Sequence, residues 1–262
     1  MTNPILPVSV VIPCYRNTAT IDRAFYSVLK QTARPAEVIL IDDASGDGTL
    51  ERLRMLQSAH GAGWVKIISR PSNGGPSSAR NAGWDAATQP HIAFLDADDA
   101  WHPRKLEIQH AWMAEHADTA ITSHTWLQAA PGTEFAALPD AWSVGRVGPT
   151  LNLLSNRFPT LTVMVRRDLP LRFEPRKRLS EDYLLWCRIL LTGRTGYRIE
   201  LPLAHRYKKH HGGHGRLSDL WAMEKAEQDT YSRLYGEGLI SAGMRIFLLL
   251  YSFAKFLKRL VV

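Results

Sequence analysis

The sequence predicts an α/β fold built on a doubly wound, mostly parallel sheet that is flanked by helices. Short apolar runs rich in β-branched residues alternate with segments of helical periodicity in the N-terminal part of the chain. These runs lack polar alternation, which is typical of parallel strands covered on both faces. Polar residues follow three of the four runs, and open α/β sheets bind ligands at that carboxyl edge. The pattern therefore predicts a single ligand crevice there.

Strands and helices alternate regularly in this part of the chain. The first strand ends at Pro13, and Thr20 is a suitable cap for the helix that follows. The segment 33–35 ends this helix at Pro35, because proline interrupts helical hydrogen bonding. The four predicted strands are residues 8–12, 37–41, 65–68 and 92–95, with a helix after each of the first three.

The alternation becomes less regular after Trp101. The dipeptide 102–103 opens one helix, and Ser180 is a natural cap for another. Residues 128–150 are rich in Gly, Pro and Ala, which predicts an irregular excursion. Further strands are predicted at residues 120–123 and 161–165, and the chain is predicted to be helical from about residue 219 onward.

Composition is that of a soluble globular protein. The chain has 262 residues, of which 45% are hydrophobic and 22% charged, and its formal net charge is +7. This charge suits an acidic small molecule, an anionic membrane face or nucleic acid, without choosing among them. Cys14 and Cys187 form no framework of pairs, which favours a reducing compartment. We find neither a signal peptide nor a long apolar run, so we expect a cytoplasmic catalytic body.

The fourth predicted strand runs directly into the carboxylates Asp96, Asp98 and Asp99. Mg²⁺ prefers oxygen ligands and is often held by one or two carboxylates together with substrate phosphates. A solvated acidic turn explains this stretch equally well. The sequence contains neither a dinucleotide-binding Gly-x-Gly-x-x-Gly nor a phosphate-binding P-loop. An EF-hand is excluded, because Trp101 stands where its calcium loop requires glycine.

Three later segments are less specific. Glu181 and Asp182 follow Ser180 at a helix start, where acids are favoured by the helix dipole, so the local pattern favours a structural role. Residues 166–178 are basic and form either a solvated face or a surface for an anionic acceptor. The histidine- and glycine-rich segment 205–218 matches no firm metal-ligand spacing and predicts a mobile polar loop.

The C-terminal segment 244–262 has an amphipathic pattern. It contains four basic residues and no acids, and its apolar residues form broad helical faces. This pattern suits a helix lying in a membrane interface. A helix packed on the body of the protein, or in an oligomer contact, is the alternative.

Several motifs together resemble family 2 glycosyltransferases, which are inverting enzymes with the GT-A fold. The motifs are residues 10–17, 37–49, 73–83, 94–107 and 180–186, followed by the loop 207–218. None of them is decisive alone, but their order and spacing over residues 7–220 are highly specific. The resemblance implies a GT-A domain over 1–220, with a nucleotide-sugar-binding half (1–115) and an acceptor-binding half (116–220). Residues 221–262 are then a helical tail, for which membrane association is one interpretation.

The resemblance also implies a nucleotide-diphosphate sugar as donor, most often a UDP-sugar. Asp98, and Asp96 directly or through water, would hold Mg²⁺ or Mn²⁺ against the diphosphate. The residues implied in nucleotide-sugar binding are Pro13, Tyr15, Arg16, Asp42, Asp43, Asn73, Gly75, Arg80, Asp96, Ala97 and Asp98. Carboxylates there can accept hydrogen bonds from the base and the ribose.

The implied role of Asp182 differs from the local interpretation. By resemblance it is the general base that takes the proton of the acceptor hydroxyl during an in-line, inverting displacement. Glu181 and Trp186 are expected near the acceptor, and His211 and His214 in a loop that closes over the site.

The resulting functional hypothesis is a glycosyltransferase of cell-surface polysaccharide or glycolipid synthesis at the inner membrane face. Its acceptor is expected to be a saccharide or a lipid-linked saccharide. We expect peripheral membrane contact through 244–262 and no nucleic-acid partner. The sequence predicts no particular oligomeric state. One alternative is a nucleotidyltransferase, although the loop 13–17 lacks the Gly-rich, basic pattern expected after its first strand. A nucleotide-sugar-binding protein without catalysis is the other.

Overall fold

A mixed sheet runs through the computed structural model, which describes residues 3–175, 177–207 and 217–261. Its strands are β1 (Ile5–Cys14), β2 (Arg34–Asp42), β3 (Val65–Ser69), β4 (His91–Phe94), β5 (Ala100–Trp101), β6 (Thr119–Gln128), β7 (Val144–Arg146), β8 (Met164–Arg166) and β9 (Thr195–Arg206). Their order across the sheet is β3-β2-β1-β4-β8-β6-β9-β5, with β7 paired to β9.

The helices account for most of the remaining described chain. They are α1 (Ile21–Leu29), α2 (Thr49–His60), α3 (Gly75–Ala86), α4 (Lys105–Glu115), α5 (Pro149–Leu154), α6 (Glu181–Leu191), α7 (Leu217–Gly236) and α8 (Ala242–Val261), with a 3₁₀ turn at Thr160–Thr162. The predicted α/β class and the alternation through β4 are confirmed. The predicted irregular excursion is partly wrong, because β7 lies within residues 128–150 and α5 begins there.

The first four strands are parallel and bring their carboxyl ends to one edge. β1 pairs with both β2 and β4, and β2 pairs with β3. The second half of the chain then extends the sheet with antiparallel pairs, β4 to β8 and β8 to β6. This topology places the turns after β1, β2 and β4 next to one another.

Side chains of β1 alternate between two cores. Val10 and Ile12 pack on the side of α1 and α2 with Phe25, whereas Val11 faces the opposite side, which contains Trp84 and Trp186. Such alternation is what a strand covered on both faces requires. Both cysteines are buried free thiols, as expected from their number and spacing.

Helix α3 lies unusually close to the sheet at Gly83. A Cβ atom there would stand 2.5 Å from Val11 Cγ1 and 2.8 Å from Ile41 Cδ1, closer than packed atoms tolerate. The absence of a side chain thus lets α3 rest directly on β1 and β2. The close contact fixes the position of Arg80, which lies one turn earlier on α3.

The two C-terminal helices pack on the body of the protein. Tyr231 of α7 and Leu248 of α8 share a buried cluster with Leu184 and Cys187 of α6. Helix α7 begins at Leu217, four residues before the predicted tail boundary at 221. In the described part of the chain, no helix combines the length and apolarity needed to cross a bilayer.

Glu37 of β2 connects three neighbouring segments through its buried carboxylate. Oε1 accepts hydrogen bonds from Ser9 Oγ at 2.6 Å and from the Thr88 backbone N at 2.7 Å, and Oε2 pairs with Lys66 Nζ at 2.5 Å. Burial alone would raise the pKa of Glu37, but the hydrogen bonds from Lys66, Ser9 and Thr88 lower it to about 2.

This lowered pKa predicts acid sensitivity of the fold. A carboxyl group whose pKa falls on folding contributes stability above its unfolded-state pKa, and this contribution is lost as the pH falls. The Glu37 contribution should therefore be complete above about pH 4.5 and decline toward pH 2. Urea unfolding across this range should show a smaller acid loss for Glu37→Gln, which at neutral pH should be less stable by about 1–3 kcal/mol. The exposed Glu51→Gln is the control, and equal behaviour of the two variants would contradict the prediction.

Candidate active site

A crevice of about 890 Å³ opens at the carboxyl edge of the parallel strands. Its floor comes from the ends of β1, β2 and β4, as predicted, and the residues after α5 and the start of α6 form the facing wall. Of the predicted site residues, Pro13, Tyr15, Asp43, Asn73, Gly75, Arg80, Asp96, Ala97, Asp98, Glu181 and Asp182 line it. Their convergence comes from strand order, because they are distant in sequence.

Asp43 lies at one end of the crevice and holds the start of α3. Its Oδ1 accepts from Gly74 N at 3.1 Å and from the Arg70 guanidinium, and its Oδ2 accepts from Gly75 N at 2.8 Å. Asn73 Nδ2 donates to the Asp43 carbonyl oxygen at 3.2 Å. The carboxylate thus occupies the positive end of the helix dipole. Its orientation toward the crevice is fixed by the backbone.

Arg80 connects the strand end to the facing wall. Its Nη2 donates to Asp96 Oδ1 at 2.8 Å, and its Nη1 donates to Glu181 Oε1 at 2.9 Å. Burial alone would lower the pKa of this guanidinium, but the charges of Asp96 and Glu181 raise it. Burial and the charge of Asp182 raise the pKa of Glu181, although Arg80 opposes them. The planar fork of arginine suits two carboxylates on different elements.

Asp96 and Asp98 fit the requirements of a divalent-cation site that is completed by substrate. No three His, Cys, Asp or Glu side chains converge as a metal-binding group among residues 3–175, 177–207 and 217–261. A cation held by one or two carboxylates and a diphosphate needs no such group. Both carboxylates line the crevice, and Asp96 already accepts from Arg80. Either carboxylate could take part in such a site.

The backbone around Asp98 is fixed by residues outside the crevice floor. Arg23 of α1 donates to the Asp98 carbonyl oxygen, and its guanidinium stacks over the Tyr207 ring at 3.9 Å from the centroid. The buried Asp99 accepts from Tyr207 N at 3.1 Å. Asp99 thus anchors the end of β9 to the strand-end turn, which agrees with its omission from the predicted site.

Asp182 faces the crevice from the start of α6. Its Oδ2 accepts from Thr160 Oγ1 at 3.1 Å and from Asn156 Nδ2 at 3.3 Å, while its Oδ1 accepts from Tyr183 N at 2.7 Å. Ser180, directly before α6, adopts the left-handed region at φ 55°. A non-glycine residue there is uncommon and is held by its surroundings. The conformation of this turn points both Glu181 and Asp182 toward the crevice.

Several predicted residues lie elsewhere. Trp186 is fully buried with its ring against Phe94 and Phe173, so the expectation that it contacts the acceptor is wrong. Asp42 is buried and accepts from Ser45 N at 3.3 Å, so Asp43 alone of the pair lines the crevice. Arg16 is exposed beside the crevice rather than in its lining. His211 and His214 lie outside the described residues.

Other crevice residues were not predicted from the sequence. Asn156 and Thr160 orient Asp182, yet they belong to a stretch without a motif. Met223, Glu227, Lys255 and Arg259 also line the crevice, although α7 and α8 were expected to form a separate tail. Their positions depend on how these helices pack. The sequence contained one signal for the position of α8, because its polar residues fall on one side of the helix. Such a side needs polar partners or water, which a crevice provides.

Comparison with protein families decides the class of the chain. Residues 9–161 match the model described as glycosyl transferase family 2. The chain belongs to this family. It is therefore a glycosyltransferase, and the nucleotidyltransferase and non-catalytic alternatives no longer apply.

Two relatives in the family illustrate the extent of similarity. The chain is 30% identical over 248 residues to the succinoglycan biosynthesis protein ExoO of Rhizobium meliloti, covering 88% of this chain and 70% of the relative. It is 32% identical over 189 residues to the Escherichia coli UDP-Glc:α-D-GlcNAc-diphosphoundecaprenol β-1,3-glucosyltransferase WfgD, covering 70% and 69%.

Solved structures share the fold of this family member. TarS 1–349 of S. aureus in complex with UDP-GlcNAc superimposes with a TM-score of 0.68 at 19% identity, over 97% of this chain and 72% of that one. The mannosyltransferase PcManGT of Pyrobaculum calidifontis, in complex with GDP-Man and Mn²⁺, gives 0.67 at 17% identity, over 95% and 69%. The predicted GT-A architecture is confirmed.

The buried Arg80 interaction predicts a large stability difference between two arginine variants. Arg80→Met leaves the buried Glu181 carboxylate and the partly exposed Asp96 carboxylate without their cation, so urea unfolding should give a loss of about 3–5 kcal/mol. Arg104→Met removes an exposed ion pair with Glu107 and should cost no more than about 1 kcal/mol. Similar losses for both variants would show that Arg80 is not the structural link described.

Proposed function

We propose that the protein is an inverting, metal-dependent glycosyltransferase that moves a sugar from a UDP-sugar to a hydroxyl acceptor. The reaction belongs to cell-surface polysaccharide or glycolipid synthesis. One observation carries the proposal: Asp98 after β4 and Asp182 at the start of α6 line the same crevice, and Arg80 joins their neighbours Asp96 and Glu181. Metal ligand and base are the two roles that such a displacement requires.

The donor end of the crevice is assigned to Pro13, Tyr15, Asp43 and Asn73. The carboxylate and amide groups there can hydrogen-bond to a base and a ribose. A UDP-sugar is favoured because the name of the E. coli relative specifies UDP-Glc, and TarS was solved with UDP-GlcNAc. The name of ExoO supports a role in polysaccharide synthesis.

Asp98 is assigned as the direct ligand of a Mg²⁺ or Mn²⁺ ion, with Asp96 beside it. When bound, this ion would supply positive charge where the leaving diphosphate gains negative charge. The Mn²⁺ in the PcManGT complex supports the use of a divalent cation. Asp96 has a second function in this scheme, because its contact with Arg80 sets the distance between the strand end and the base.

Asp182 is assigned as the general base. As the acceptor oxygen bonds to C1 of the sugar, Asp182 takes the hydroxyl proton and the C1–O bond to the diphosphate breaks. Attack from the face opposite the diphosphate inverts the anomeric centre. Thr160 and Asn156 hold one carboxylate oxygen and thereby orient the base before the acceptor arrives.

The base assignment predicts the behaviour of Asp182→Asn. Asparagine keeps the size of the side chain but cannot take the proton, so turnover should fall by about 10²- to 10⁴-fold. UDP release from a panel of UDP-sugars, with Mn²⁺ or with a chelator, measures turnover, and calorimetric titration with UDP measures donor binding. UDP binding should be unchanged, and Asp140→Asn on the exposed surface is the control. A variant that turns over at the wild-type rate would disprove the assignment.

Membrane attachment through α8 is the second part of the proposal. At 3.6 residues per turn, Leu248, Ser252 and Phe256 share the buried side of this helix. The opposite side exposes large apolar residues, with Leu250 66% and Leu257 47% exposed. They continue as a row that consists of Ile246, Leu250, Phe253, Leu257 and Leu260. The side of α8 that contains Ser252 thus packs on the protein, and the row of large apolar residues faces outward.

An anionic bilayer is the surface that suits this arrangement. Helix α8 carries basic residues and no acids, and Lys258 lies on an exposed flank of the helix. Apolar burial and attraction to anionic lipids act together in interfacial helices. The protein would then work at the inner face of the cell membrane.

Charged substitutions on the outward side should detach the protein. Leu250→Glu with Leu257→Glu removes two apolar side chains, so the partition coefficient should fall by at least about tenfold. Co-sedimentation with vesicles of phosphatidylcholine and phosphatidylglycerol measures this, and Met55→Glu, at another exposed apolar position, is the control. Equal sedimentation of all forms would contradict attachment through α8. Concentration-dependent dimerisation without vesicle binding would do so too.

A further inference from the structure

The wall that α7 and α8 contribute to the crevice has no role in the scheme above. Met223 and Glu227 come from α7, and Lys255 and Arg259 come from α8. All four lie beyond residues 9–161, the part of the chain matched by the family model. Two of them are cations that lie one helical turn apart on α8.

Hydrogen bonds place this wall beside Asp182. Lys255 Nζ donates to the Leu154 carbonyl oxygen at 3.2 Å, two residues before Asn156, which contacts Asp182. On the other side, Tyr231 Oη donates to Glu227 Oε1 at 2.8 Å and lies 3.2 Å from the Tyr183 hydroxyl. These hydrogen bonds therefore fix the wall to the segment that carries Asn156 and to the start of α6, which carries Asp182.

Lys255 is held but not saturated. Its ammonium donates to Glu227 Oε1 at 2.6 Å and to Leu154, which leaves one of its three hydrogens for a ligand. The side chain remains 25% exposed at the crevice wall. Arg259 adds a second positive charge on the same side. Two cations and one carboxylate leave a net positive surface, which suits a phosphate group.

A chain of aromatic contacts leads from the outward apolar row of α8 around the helix toward this wall. Phe253 stacks with Phe256 at 6.0 Å, and Phe256 contacts the exposed Trp221 of α7 at 5.2 Å. Met223, which is 52% exposed, lies at the crevice itself. A phosphate bound by Lys255 and Arg259 would thus have an apolar surface next to it, leading out of the crevice.

We propose that this wall is the acceptor subsite and that the acceptor is a lipid-linked phosphate. Lys255 and Arg259 hold the phosphate, and the lipid passes along Phe256 and Phe253 to the outward apolar row of α8 and into the bilayer. The sugar hydroxyl beyond the phosphate then reaches Asp182. This inference rests on the proposed function and names the acceptor class of the same site. The one helix would serve both to attach the enzyme and to receive its acceptor.

The test uses three probes on the full chain saturated with UDP and Mg²⁺, so that the donor site is already filled. Farnesyl diphosphate carries both lipid and phosphate, inorganic pyrophosphate carries only phosphate, and farnesol carries only lipid. Calorimetric titration should show binding of farnesyl diphosphate and much weaker binding of the other two. Lys255→Met and Arg259→Met should each weaken it by about tenfold or more, because each removes a charge-assisted contact.

Lys258→Met is the matched control, since Lys258 is on α8 but not in the crevice lining, and it should bind like the wild type. Urea unfolding checks that Lys255→Met is folded, and the exposed Arg259 provides an independent variant. Unchanged binding in both variants would overturn the proposal. Pyrophosphate binding as tight as farnesyl diphosphate would overturn the lipid requirement, and equally tight farnesol binding would overturn the phosphate contact. Failure to bind UDP would instead contradict the proposed function.

Discussion

The double ion pair of Arg80 is the interaction on which the geometry of the crevice depends. Its guanidinium belongs to α3, Asp96 follows β4, and Glu181 starts α6. These elements carry the parts of the site that we propose for the nucleotide, the cation and the base. A single buried cation thus sets the separation between two walls that approach from distant parts of the chain. Gly83 helps to fix the position of Arg80, because only glycine lets α3 lie this close to the sheet.

The sequence predicts well whatever follows from local periodicity and strand direction. The parallel strands are buried on both faces, so their apolar runs are visible, and their carboxyl ends must meet at one edge. This is why the pair Asp42 and Asp43, together with Asp96 and Asp98, is predicted at one crevice from the sequence alone. Asp182 needed the family resemblance, because an acidic pair after Ser180 has an ordinary explanation at any helix start.

Other features depend on packing and could not be predicted. Asp42 and Asp43 are adjacent, and successive residues at a strand end point to opposite sides, but periodicity does not tell which one faces the ligand. Trp186 lies in the core because α6 turns that side toward Phe94 and Phe173. Asn156 and Thr160 reach Asp182 through a segment without a motif, and Lys255 reaches the crevice only because α8 folds back onto α5.

The exposed apolar row of α8 has a practical consequence for preparing the enzyme. Because these apolar residues are exposed, truncation before residue 242 is an obvious way to obtain more soluble protein. Truncation would also expose Tyr231 and Leu184 to solvent and remove one wall of the crevice. The buried Glu224 would lose its hydrogen bond from Ser252. A shortened enzyme could then be homogeneous in solution and still give a misleading picture of acceptor preference. Detergent or nanodisc preparations of the whole chain avoid this artefact.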